Sequence, residues 1–477
     1  MSMPRLRVVA LTLLAGILLF YAFFLTRTYY WDGVLFSLNI EGVHRGELRA
    51  GALFHPNHLL YSALGYIFYS LFLACGLSIR AITALQIVNI ALAALAAWLL
   101  FGFAQRLTKS TPLAVFCAVL FAFGATWWKF STDADAYIIS VLFLLIAVRC
   151  IAREHPRLLP AAAAHVSAML FHELAVFAYV PVVAAIVFNR EQSKTKRLWV
   201  SCLYVVSTAA CVAVIYLIAY QYSDHTAYPS LLAWVTSRSA ASQTTHGLKQ
   251  LSSYVLSYVK LFAGGKLSLI GQFFLIAEAS AFAACVASIA LAVYLFRQPM
   301  SKTSPLEKPP TLILWAWLTP YAIFFLWWEP AGTFYKLFIW PPIVLLIGIY
   351  AARQRPKGFL ALALALAAWN FGAFIFPHSR GDADPVLALA QRIDRQLPKN
   401  ATVYYDVFSP DDWYLAYFAP GRKWTQLPSA LPNSSNGPVC LETTALHAYK
   451  SSLEIDPARR WDLVNRQHNV RLECLKR

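Results

Sequence analysis

The chain has 477 residues, 59% of them hydrophobic and 13% charged, with a mean hydropathy of +0.54. A soluble globular protein carries about twice that charged share and a smaller apolar one, so a water-soluble enzyme is excluded and a polytopic membrane protein is expected. The net charge of +17 lies in short Lys and Arg clusters between apolar runs, the pattern of cytoplasmic loops, so the expected partner is a lipid bilayer and not a nucleic acid.

In chain order, "MSMPRLRVVALTLLAGILLFYAFFLTRTYYWDG" is a short basic flank followed by an apolar run with no small-residue cleavage site. It reads as a retained helix near 8–25 with a cytoplasmic N-terminus. Further runs long enough to cross about 30 Å of hydrocarbon lie at 81–104, 112–128, 136–151, 158–173, 174–188, 199–220, 267–296, 310–328, 335–351 and 357–376, eleven helices in all. The stretch "HLLYSALGYIFYSLFLACG" at 58–76 is only just long enough to span and is rich in polar and aromatic residues, which suit an interface.

Loop charge decides between the two placements. With 58–76 lying along the surface, the loops around 105–111, 149–157, 189–198, 297–308 and 353–357 all face the cytoplasm. They carry fifteen basic residues: Arg106, Lys109, Arg149, Arg153, Arg157, Arg190, Lys194, Lys196, Arg197, Arg297, Lys302, Lys308, Arg353, Arg355 and Lys357. A spanning 58–76 would turn all of them outward, against the positive-inside rule. The outer side then holds residues 26–80, the short loop at Asp133 and Asp135, the loop 221–266 and everything after 377. Two domains follow, a transmembrane domain over 1–376 and an extracytoplasmic one over 377–477. In the latter, "DADPVLALAQRIDRQLPKN" reads as an amphipathic helix, "ATVYYDVFS" as a strand and "PDDWYLAYFAPG" as a helix ending in a turn, while the rest is Pro- and Ser-rich. Six cysteines lie in or beside apolar segments, whereas Cys440 and Cys474 stand in this tail, where an oxidising compartment would permit a disulfide.

Ionisable residues recur at the outer ends of the apolar runs. The first group is Asp32, Glu41, Glu47, His55 and His58 in the first outer loop; the second is Asp133 and Asp135 in "DADAY"; the third is His172 and Glu173 in "MLFHELAVF". Charged groups beside hydrocarbon are costly and read as functional by default. The plain alternative is a solvated loop residue or a helix cap, which suits Glu41, Glu47 and Asp133. Asp32 and Asp135, preceded by aromatics and followed at once by apolar runs, resist it. In "FFLWWEPAGTFYKLFIWPP", Glu329 and Lys336 bracket a turn; the lysine either snorkels to the surface or turns inward to meet a phosphate. The three histidines have no metal-motif spacing and stand as supporting partners or ligands. Tyr222, Asp224, His225 and Tyr228 belong either to an acceptor cleft or to a plain connecting loop.

An N-terminal helix, a long outer loop opening on an acid and closing with an interfacial helix, a second D-x-aromatic motif, many further helices and an outer C-terminal domain resemble the GT-C glycosyltransferases. Within them the chain is similar to protein O-mannosyltransferases, lipid A aminoarabinose transferases and their bacterial relatives, best over about 1–190. The resemblance implies an all-α polytopic membrane protein with a small C-terminal α/β extracytoplasmic domain. It implies inverting transfer of a sugar from a polyprenyl-phosphate donor to a hydroxyl of a glycan, lipid or protein acceptor, in a bacterial inner membrane. By the same resemblance Asp32 and Asp135 are the catalytic acids, His55 lies near them through "FHPNHLLY", and Lys336 stands where relatives place a cation for the lipid phosphate. A divalent metal ion held in part by Asp135 is a further expectation. Relatives often pair the first acid with a second, whereas this chain has "DG" at 32–33. The reading from another class is a transporter or flippase, which would need broken helices in corresponding halves and acids at the midplane.

Overall fold

The computed structural model describes residues 3–475 apart from 154, 189–192, 238–246, 266–275, 299–310, 352–354, 381–383, 385–386, 388–389, 392–393, 396, 406–410, 427–438, 443–454 and 465–468. Arg190, Lys302, Lys308 and Arg353 therefore lie outside the described residues.

Each expected apolar run contains a helix, and helices also form at Trp31–His44, Leu231–Thr236 and Leu248–Phe262, in stretches read as loop. The helices are α1 (Met3–Phe23), α2 (Trp31–His44), α3 (Tyr61–Ala74), α4 (Ala81–Thr108), α5 (Thr111–Phe123), α6 (Ala125–Ser131), α7 (Tyr137–Ile151), α8 (Leu158–Phe171) and α9 (Tyr179–Val187). Then come α10 (Lys194–Tyr220), α11 (Leu231–Thr236), α12 (Leu248–Phe262), α13 (Ile276–Arg297), α14 (Thr311–Trp327), α15 (Trp340–Ala351), α16 (Pro356–Asn370) and α17 (Phe376–Ser379). A 3-10 turn, Glu173–Ala178, leads into α9, and another, Phe334–Ile339, into α15. Among the described residues six helices are long and apolar enough to cross a membrane: Pro4–Phe23, α4, α10, Ala277–Arg297, Phe334–Ala351 and Pro356–Ser379. The pair α5 and α6, bent by 64°, makes a seventh if it is one span. The other expected spans appear as shorter apolar helices of 10–17 residues. The protein is thus an integral, multi-pass membrane protein.

The bend has a local cause. A side chain on Gly124 would meet the Trp340 ring at 2.5 Å, and the indole Nε1 donates to the Phe121 carbonyl at 2.9 Å. Trp340 occupies the break and satisfies a carbonyl that the interrupted helix leaves open. α3 buries Tyr61, Ser62, Gly65 and Tyr69 on one side and exposes Ile67 and Leu71 on the other, the two-faced pattern expected for 58–76.

The C-terminal part of the chain contributes β1 (Thr402–Tyr405), α18 (Asp411–Phe418), β2 (Lys423–Gln426), β3 (Val439–Glu442), β4 (Ile455–Val464) and β5 (Asn469–Leu475). The sheet order is β2-β1-β3-β5-β4, with β2, β1 and β3 parallel and the β3–β5 and β5–β4 pairs antiparallel. The expected strand and second helix are present, and Leu387, Ala390, Gln391, Asp394 and Arg395 of the expected first helix are helical. The Pro- and Ser-rich remainder supplies four more strands, because pairing across the sheet overrides weak local preference. Cys440 is disulfide-bonded, and Cys474 is its register partner on β5.

Candidate active site

The site is built where α2 begins. Gly33 packs against the backbone between the two aspartates of the second outer loop: a Cβ there would lie 2.2 Å from the Ala134 carbonyl oxygen. Glycine after Asp32 lets the two acidic loops touch, which accounts for "DG" where relatives pair two acids.

Two amides one turn apart on α4 hold these loops. Gln86 Nε2 donates to the carbonyls of Thr26 (3.0 Å) and Thr132 (2.8 Å), and Asn89 Nδ2 to those of Asp133 and Asp135 (both 2.8 Å). Sequence reading passed over both. The signal was available in "LQIVNIAL", since polar side chains inside an apolar run demand partners.

Asp133 is fully buried and structural. Its Oδ2 accepts from Lys129 Nζ at 2.5 Å and from the Tyr30 amide at 3.0 Å, and its Oδ1 from the Ala134 amide at 2.8 Å. The capping expectation is corrected in its object, because the carboxylate anchors the backbone entering α2 rather than starting α7. Asp135 is also fully buried. Its Oδ1 accepts the Tyr137 amide at 3.3 Å, and its Oδ2 has no hydrogen-bond partner among the described residues. Burial, reinforced by the like charges of Asp32 and Asp133, holds this carboxyl well above the ordinary range. Asp135 is thus enclosed by the two loops rather than exposed on them.

Asp32 stands in the wall of a cavity of about 870 Å³ that also takes in Tyr30, Trp31, His55, His58, Tyr137, His172, Glu173, Trp328, Glu329 and Tyr335. The structure thus brings together Asp32, the three histidines, Glu173 and Glu329. Glu329 holds a positive φ of 49°, uncommon for a side-chain-bearing residue and a mark of a constrained wall. The His58 and His172 rings meet edge to face at 4.6 Å, and His172 lies 4.7 Å from the Tyr137 ring. His172 Nδ1 accepts the Leu174 amide at 3.1 Å, so Nε2 carries the proton of the neutral ring. Burial pushes His58 down to about 4.

Lys336 does not join them. It is fully buried, donates to the carbonyls of Pro330 (3.0 Å) and Gly332 (2.9 Å), and lies 5.4–5.7 Å from the Phe325, Tyr254 and Tyr258 ring centroids. Its charge closes the Pro330–Gly332 turn instead of lining the cavity, whose described lining contains no Lys or Arg. No group of three His, Cys, Asp or Glu side chains among the described residues could hold a metal ion. The residues present thus do not fit the ion expected at Asp135. The loop after α10 packs elsewhere, with Tyr222 against Phe54 (5.8 Å) and Asp224 accepting from Thr226. The hydroxyls of Tyr30 and Tyr335 at the cavity went unread, as aromatics common to any membrane interface.

No family model matches the sequence, and no curated protein does. Among solved structures the chain is similar to ArnT from Cupriavidus metallidurans bound to undecaprenyl phosphate, with a TM-score of 0.64 and 10% identity over 99% of this chain and 98% of that one. The apo state of ArnT from the same organism matches with a TM-score of 0.55 and 10% identity, over 98% and 97% of the two chains. The chain has the fold of ArnT over nearly its full length, the fold anticipated from its resemblance to the GT-C glycosyltransferases.

Proposed function

We propose that this protein is an inverting glycosyltransferase that moves a sugar from a polyprenyl-phosphate donor to an acceptor hydroxyl at the outer face of the membrane. The observation that carries the reading is Asp32 in the wall of a cavity of about 870 Å³, in a chain whose fold matches an enzyme crystallised with undecaprenyl phosphate. Asp32 is the base. It takes the proton of the acceptor hydroxyl as that oxygen attacks the anomeric carbon from the face opposite the phosphate. The bond from that carbon to the phosphate oxygen breaks, and the leaving lipid phosphate carries away the electron pair. With Lys336 committed to carbonyls, the leaving charge is met by neutral donors of the wall, chiefly Tyr30, Tyr335 and the Nε2–H of His172. No step is assigned to a metal. Asp135, buried in the neighbouring loop and outside the cavity lining, supports the Asp32 loop.

We read eleven crossings, with the N-terminus cytoplasmic and the C-terminal domain outside. A transport reading needs a broken helix at the site, but the break between α5 and α6 is filled by Trp340. The test is sugar release by purified protein from a panel of polyprenyl-phosphate sugars. Wild type is expected to turn over at least one donor, and Asp32→Asn to lose about 100-fold or more in rate while donor binding survives. Equal rates in wild type and Asp32→Asn would remove Asp32 as the base.

A further inference from the structure

The helix that carries Asp32 is gripped at both ends by one short helix of the C-terminal domain. Before its start, Tyr29 is 3% exposed, stacks on Phe418 with ring centroids 5.4 Å apart and lies 6.4 Å from Tyr414. Toward its end, the Tyr417 hydroxyl donates to Glu41 Oε1 at 2.8 Å and accepts the Ile82 amide at 3.1 Å. Arg80 completes the joint. Its Nε donates to the same Glu41 oxygen at 2.8 Å, its Nη2 to the Tyr417 carbonyl at 2.9 Å, and its guanidinium lies 4.0 Å over the Tyr417 ring.

Tyr414, Tyr417 and Phe418 sit at i, i+3 and i+4 on α18 and so share one face. That face meets the chain at Tyr29, just before α2, and at Glu41 in its last turns, two points that bracket most of a helix of 14 residues, about 21 Å long at 1.5 Å per residue. Holding a rod near both ends fixes its rotation and its axial position. Asp32 is in the first turn of that rod, so its place in the cavity depends on the hold.

We propose that α18 is a positioning element for Asp32: through Tyr414, Tyr417 and Phe418 the C-terminal domain clamps α2 and sets where the carboxylate stands, without touching substrate. The kinetic consequence rests on the glycosyl-transfer reading, whereas the structural consequence does not.

The test uses the full chain in lipid nanodiscs as wild type, Tyr417→Phe, Phe418→Ala, the double variant, and Phe418→Trp, which keeps a ring on Tyr29. Backbone hydrogen exchange over residues 29–44 and donor turnover are both measured. In the double variant exchange over 29–44 is expected to rise while the membrane helices stay as protected as in wild type. Its kcat should fall by about tenfold or more, since misplacing a reacting group by 1 Å costs on the order of 100-fold, with the donor KM unchanged. Phe418→Trp should keep kcat closer to wild type than Phe418→Ala does. Unchanged exchange over 29–44 in the double variant overturns the clamp. So does a rise in exchange through every helix with kcat and KM moving together, which marks general loosening. If wild type turns over no donor, the glycosyltransferase reading fails by itself, and exchange over 29–44 still decides whether α18 holds α2.

Discussion

Single side chains at this site divide by what already occupies them. Lys336 has two carbonyl acceptors and three aromatic rings around its ammonium. Lys336→Met should therefore leave two carbonyls unpaired and lower thermal stability by about 1–3 kcal/mol, with donor KM unchanged. A large rise in donor KM without loss of stability would instead restore it as the phosphate cation. Gly33→Ala puts a methyl group 2.2 Å from the Ala134 oxygen. Overpacking of this kind costs about 1–3 kcal/mol, and it should reduce turnover further than that, because the displaced residue is next to Asp32. His58 supplies a pH dependence. Its value falls from 6.5 in the unfolded chain to about 4 in the fold, so above pH 6.5 both states are neutral and it has no effect. Between pH 6.5 and 4 the unfolded chain takes up a proton that the folded one refuses, and stability falls by about 3 kcal/mol as pH drops through that window. Thermal unfolding against pH should show this slope flattened in His58→Asn.

At the scale of elements, α4 and α12 do more than span or connect. Asn89 on α4 satisfies the carbonyls of both Asp133 and Asp135, so Asn89→Leu should loosen the acidic loop and cut turnover more than it cuts expression. α12 exposes Leu248, Leu251, Val255 and Val259 along one side and turns Ser257 and Leu261 inward. An exposed apolar stripe at helical spacing on an outer loop fits an interfacial helix. A fluorescent label at Val255 should be quenched by spin-labelled lipids, and a label at Asp224 should not. The sequence reading left 221–266 open between a cleft and a connection. Hydropathy marked α12 less clearly than the spans because half of its residues are polar, and only the face they take reveals its use.

At the scale of the whole molecule, the proposed orientation rests on loop charge. Alkaline phosphatase fused after residue 477 should be active, and fused within 105–111 inactive; the reverse pattern would invert the topology. Hydrophobicity by itself marked the apolar helices, since each apolar run must satisfy its own backbone once in lipid, and the structure has a helix at every expected run, whereas α2 and α12 form outside those runs. The same local signals marked Asp32, Asp135, the histidines and the glutamates as unusual. What only the tertiary structure decided depends on residues far apart in the chain. The bend at Gly124 exists because Trp340 fills it, the five-stranded sheet because β3 finds β1 and β5, and the burial of Lys336 because the rings of Tyr254 and Tyr258 pack beside it. The placing of Asp32 in the cavity wall and of Asp135 outside it belongs to the same class. A carboxylate's surroundings, and hence whether it holds or releases its proton, are set by neighbours that sequence order does not reveal.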